Sequence, residues 1–144
     1  MTGEAGVVPE LGRWSILTMV APERYVDRDS FWSGFAFERW SHEDYEWTQD
    51  PWNGFRDFAS RPRETVDREE GDCEDYALVA LSWAVATDRQ GAGLGFCWEW
   101  PYPWPRHVVA FDEERVYSSG HIAERGIEEW VEDSRFGFHV ERRV

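Results

Sequence analysis

The chain has 144 residues, and its 29 acidic side chains outnumber 15 basic ones to leave a formal net charge of −14. A length of this order supports one domain with its own hydrophobic core, without metals or disulfides. The acidic excess argues against nucleic acid as a partner, because phosphate neutralisation needs a basic face.

Residues 1–144 are therefore expected to form a single domain, with 1–54 a variable, aromatic-rich N-terminal part and 55–144 a motif-bearing core. Two cysteines, Cys73 and Cys97, make no disulfide framework, and no CxxC or Cys/His zinc spacing is present. The first nine residues carry an acid and no basic cluster before a short apolar patch, which is neither a secretory signal nor a spanning helix. The expected setting is soluble, reducing and cytoplasmic, with no membrane partner.

In chain order, residues 14–20 are short and apolar and read as an edge strand or one turn of helix. Residues 31–52 are dense in aromatics and acids without a firm period. Residues 52–60 suggest a short helix stopped before Pro62, and 64–67 another turn leading onward. Gly71 then permits a tight turn, and Asp72 can cap a helix whose third position is Asp75. Residues 76–86 are apolar apart from Ser82 and too long for a typical buried strand, so they predict a helix buried on nearly all sides. Residues 90–95 form a glycine-rich link into a strand over 96–100, where Cys97 reads as a buried strand thiol. Residues 101–105 hold three prolines and are expected to be a loop. A hairpin follows, with strands at 107–111 and 116–118. Residues 127–133 suggest a short helix, and 136–144 a closing strand alternating Phe136, Phe138 and Val140, with His139 out of phase and on an exposed face. Of the remaining histidines, His42 and His121 read as surface residues.

The chemically informative segment is Gly71-Asp72-Cys73-Glu74-Asp75-Tyr76-Ala77. Cys73 stands at the first turn of the predicted helix, where the partial positive charge of the helix terminus favours thiolate. Asp72, Glu74 and Asp75 oppose a thiolate unless they point away, are paired or are neutralised.

With Arg61-Pro62-Arg63-Glu64-Thr65-Val66 before it and His107 opening a strand after it, this heptapeptide resembles the transglutaminase-like superfamily, most closely its bacterial cysteine proteinases. The resemblance covers roughly residues 55–144. It implies an α+β, papain-like fold in which a central cysteine-bearing helix packs on a small antiparallel sheet. It also implies Cys73 as nucleophile, His107 as its base, and a peptide or amide carbonyl as the point of attack. No cofactor is required, although in the proteinase branch acids flanking the nucleophile bind calcium, and Asp72 and Glu74 match those positions. Helix capping and suppression of the thiolate are the other readings of the same acids. The acidic, lysine-free composition also resembles that of proteins from salt-in halophiles.

The family's third residue, an Asp that orients the histidine, has no counterpart here. Ser119 falls closest to its position and Ser118 is the alternative; strand register decides which of them faces the ring. A hydroxyl can hold the imidazole tautomer, but it brings no charge to stabilise an imidazolium. Asp112 would lie on the opposite face of the strand and is a poor substitute.

Ten tryptophans in so short a chain are unusual. Trp100, Tyr102 and Trp104 run up to His107 and are candidates for lining a substrate groove, although aromatics are also ordinary core filler. Three functions follow as expectations. The first is a cysteine peptidase or amide acyltransferase acting on a peptide or protein. The second is a catalytically impaired relative that binds a peptide or partner. The third is a glycan-binding domain.

Overall fold

The computed structural model describes residues 18–48, 61–103 and 105–144. The expectations for residues 14–17 and 52–60, and for Trp104, lie outside the described residues.

Helix and sheet are segregated in an α+β arrangement. The longest helix, Cys73–Ala86, starts where the sequence predicts. Asp72 accepts the Asp75 N–H at 3.0 Å, and the Asp75 carboxylate accepts the Asp72 N–H at 3.2 Å. This reciprocal capping box satisfies two of the donors that a helix start leaves open. Gly71 is needed beside it, because a Cβ there would stand 2.7 Å from the Asp75 Cβ. Before this helix, Pro62–Arg68 forms another, with Pro62 at its first turn. A third, Ile127–Glu132, lies near the C-terminus. We call these α2, α1 and α3 by chain order.

Among the described residues, seven short strands accompany these helices. Glu46–Trp47 (β1) and Glu70–Gly71 (β2) pair in parallel just ahead of α2. Gly93–Trp98 (β3), Pro105–Phe111 (β4), Val116–Ser118 (β5), His121–Ala123 (β6) and Phe138–Arg143 (β7) build an antiparallel sheet in the order β6-β5-β4-β3-β7.

The sheet is covered on both sides. On one face Leu94, Phe96, Val108, Ala110 and Tyr117 meet Tyr76, Leu78 and Leu81 of α2, together with Trp32, Phe37 and Trp40 from the N-terminal part. On the other, Cys97, Val109, Phe111 and Val116 meet Ile127 and Val131 of α3, with Phe136 beside them. Each large side chain fully buried in this way contributes roughly 1.5–3 kcal/mol.

Several boundaries differ from expectation. The described part of the aromatic-rich segment, 31–48, breaks into single turns, Ser30–Gly34, Phe37–Arg39 and Trp40–Asp44, before β1. Its aromatics fill the space over α2, with Phe37 stacked on Trp83 at 4.9 Å. Strand β3 begins at Gly93 rather than Phe96. Glycine is required there because a Cβ would meet the Arg142 carbonyl oxygen at 2.6 Å. Strand β6 is an addition to the expected hairpin. Phe136 precedes the closing strand instead of opening it. His139 is not on a bare face: its Nε2 lies 2.8 Å from a Glu141 carboxylate oxygen. Among the described residues, no helix is long and apolar enough to cross a membrane.

Candidate functional site

Cys73 occupies the first position of α2 and is buried against the sheet, where it hydrogen-bonds to the backbone of Val108. Burial pushes its thiol well above the ordinary cysteine value. Asp72 adds to the rise, the bond to the Val108 backbone opposes it, and Glu74 and Asp75 raise it further. The helix terminus alone would favour thiolate. Desolvation and three carboxylates outweigh it, so the sulfur is held as a neutral thiol.

The acids themselves are committed to structure. Asp72 and Asp75 form the capping box, and Glu74, almost fully buried, accepts the Thr18 hydroxyl at 2.5 Å. Calcium favours six to eight oxygen ligands in an open cage. Among the described residues no three His, Cys, Asp or Glu side chains are grouped to hold a metal ion.

His107 lies in β4, one residue before Val108, and that single step decides its surroundings. Side chains alternate across a strand. Val108 and Ala110 enter the core under α2, so His107, Val109 and Phe111 leave on the α3 side. The ring stacks on Phe136 at 5.7 Å and 8° and lies 6.4 Å from Trp130. Burial, reinforced by the Arg135 charge, lowers its pKa to about 4. The expected meeting of the Cys73 thiol with the His107 imidazole is therefore not formed, because the sheet stands between them. The cysteine opposite His107 in register is Cys97, fully buried and pushed up by desolvation to about 12.

The histidine has a hydroxyl partner, though not the one placed first by sequence. His107 Nε2 lies 2.8 Å from Ser118 Oγ, whereas the buried Ser119 Oγ has no hydrogen-bond partner. Tyr117 faces α2, so Ser118 faces the α3 side with His107. Ser119 has already left the strand, at φ 44°, in the turn to β6. The alternative, Ser118, is thus the histidine's neighbour, and Ser119 is not.

Trp100, Tyr102 and, from β7, Phe138 reach the surface. Trp100 is 90% exposed, Tyr102 43% and Phe138 58%. Trp98 meets Phe138 edge-on at 5.3 Å and donates its indole N–H to the Pro103 carbonyl at 3.0 Å. The Arg106 guanidinium covers the Tyr102 ring at 3.9 Å, and Glu99 accepts from Arg135 at 3.2 Å. His42 and His121 are exposed, as expected.

One group had no functional reading in the sequence. Asp112 is buried at the β4–β5 turn and accepts from Arg89 Nε at 2.5 Å, the Tyr117 hydroxyl at 2.5 Å, and the Glu114 and Arg115 N–H groups at 2.8 and 3.0 Å. These bonds overcome burial and hold its carboxyl below the usual range. It closes the hairpin and takes no part near Cys73. Its signal was an acid at the end of an apolar strand, which reads equally as an ordinary turn.

Compared with protein-family models, with curated proteins and with solved structures, the chain matches none.

Proposed function

We propose that this chain is a transglutaminase-like domain in which cysteine acyl transfer has lapsed and which serves to bind a peptide or protein partner. The lineage rests on the heptapeptide around Cys73, supported by a capped cysteine-bearing helix packed on an antiparallel sheet. The loss of catalysis rests on one observation: thiol and imidazole lie on opposite faces of the sheet. A Cys-His mechanism requires the base within hydrogen-bond reach of the nucleophile. Here the sulfur is held protonated and the ring is held neutral.

Binding is assigned to the exposed aromatic surface of Trp100, Tyr102 and Phe138. Large apolar rings left exposed to water in a patch mark interaction sites.

Alkylation by iodoacetamide with mass-spectrometric mapping tests the catalytic half. Cys73 and Cys97 are expected to resist labelling in the native protein at neutral pH and to react together on unfolding. Fast labelling confined to Cys73, or amide turnover that disappears in Cys73→Ala, would restore the peptidase reading. For the binding half, the probe is an array of immobilised extended peptides. Retention by the wild-type chain that falls in Trp100→Ala and Tyr102→Ala is the expected result, and equal retention by all three proteins would refute the surface.

A further inference from the structure

Strand β7 closes one edge of the sheet, and it is a long edge. It runs six residues, Phe138–Arg143, and among the described residues its only partner strand in the sheet is β3. The other edge, β6, has three residues. Which backbone groups of β7 face outward follows from register. Val144 N–H donates to the Ala92 carbonyl at 3.0 Å, and the Arg142 carbonyl points at Gly93 closely enough to exclude a Cβ. Even-numbered residues of β7 therefore bond to β3. The N–H and C=O groups of His139, Glu141 and Arg143 point away from the sheet.

Unpaired edges are ordinarily blunted by proline, bulges or charged side chains. This edge contains no proline, and the polar side chains on one of its faces are mutually complementary: His139 lies 2.8 Å from Glu141, and Arg143 3.0 Å from the same carboxylate. We propose that β7 is a pairing edge for a second copy of this chain, joined antiparallel about a two-fold axis at Val140. In that register His139 stands opposite Glu141 of the second copy, Val140 opposite Val140, and Phe138 opposite Arg142. His139 and Glu141 exchange backbone hydrogen bonds across the axis twice, and two five-stranded sheets become one continuous sheet.

The complementarity is specific to this register. Shifting by two residues sets Glu141 against Glu141, and shifting by one sends side chains to opposite faces. An extended peptide from another protein could use the same backbone groups. The self-complementary order His-Val-Glu is what selects a copy of this chain.

Each copy carries a formal charge of −14, so long-range repulsion opposes the pairing at low ionic strength. The screening length falls from about 10 Å at ~0.1 M salt to about 3 Å at ~1 M. Association is accordingly expected to strengthen with salt, on the order of tenfold across that range, because many distant like charges are screened while the contact pairs are not.

The experiment is sedimentation equilibrium of the full chain in potassium chloride over that range, with three variants checked for folding by circular dichroism. Wild type is expected to approach twice its 17.0 kDa mass at high salt. Glu141→Pro removes an outward N–H that β3 does not use, and it is expected to stay single. His139→Glu, which sets like charges opposite each other, is also expected to stay single, and adding Glu141→Arg to it restores pairing. A single-chain mass at every salt concentration overturns the proposal. So does a dimer that Glu141→Pro and His139→Glu leave intact, or a folded double variant that fails to regain it.

Discussion

The most discriminating perturbation is pH acting on His107. Its folded pKa is about 4 against an ordinary 6.5, because burial beside Phe136 and Trp130, reinforced by the Arg135 charge, disfavours the charged ring. The unfolded chain protonates this histidine near 6.5 and the folded chain does not. Between the two values the unfolded state binds more protons, so stability falls as pH drops. The contribution is fully present above pH 6.5, and it is lost by about pH 4, below which both states are protonated. At about 1.4 kcal/mol per unit, the total is on the order of 3 kcal/mol. Urea unfolding followed by tryptophan fluorescence at several pH values measures it. Carboxylates titrate in the lower part of the window, so the quantity to compare is wild type minus His107→Gln. That difference should change by roughly 3 kcal/mol between neutral pH and pH 4, in the direction of wild type losing more. Had His107 been an imidazolium paired with a Cys73 thiolate, its pKa would be raised and the sign would invert. A flat or inverted difference would refute the buried, neutral placement and return the catalytic dyad to consideration.

The two serines that sequence could not separate should now separate in stability. Ser118→Ala removes the hydroxyl at His107 Nε2 and should cost about 1–3 kcal/mol in denaturant unfolding, as a buried polar group loses its partner. Ser119→Gly relieves a positive φ and removes a hydroxyl without a partner, so it should be neutral or stabilising by up to about 1 kcal/mol. Asp112→Ala strands Arg89 and the Tyr117 hydroxyl and should cost about 3–5 kcal/mol, measured the same way.

The helix at Cys73 was legible because its signals are local: a glycine, a capping acid, a second acid three residues on, and an unbroken apolar run. The facing of His107 was not, because the strand that carries it is covered on both sides. Val108, Val109, Ala110 and Phe111 are all buried, so no alternation of polar and apolar residues announces which parity meets α2. A one-residue ambiguity there moves the imidazole to the far side of the sheet. Ser118 and Ser119 carried the same ambiguity. Gly93 was misjudged as linker because sequence shows a glycine's freedom but not the neighbouring backbone that excludes a side chain. The aromatic-rich residues 31–45 have no period because their rings fill gaps over α2 from successive single turns rather than from one repeating element.

The acids around Cys73 bring these points together. At a helix start, negative charge is stabilising, and Asp72, Asp75 and Glu74 each have an assigned bond there. A thiolate at Cys73 would be a fourth negative charge on the same helix turn, buried and across the sheet from the His107 imidazole. The interactions that make this helix start reliably are therefore the ones that disfavour ionising its sulfur. Repositioning His107 would not by itself recover a nucleophile, because the carboxylates would still compete for the same helix N–H groups and the same positive end of the dipole.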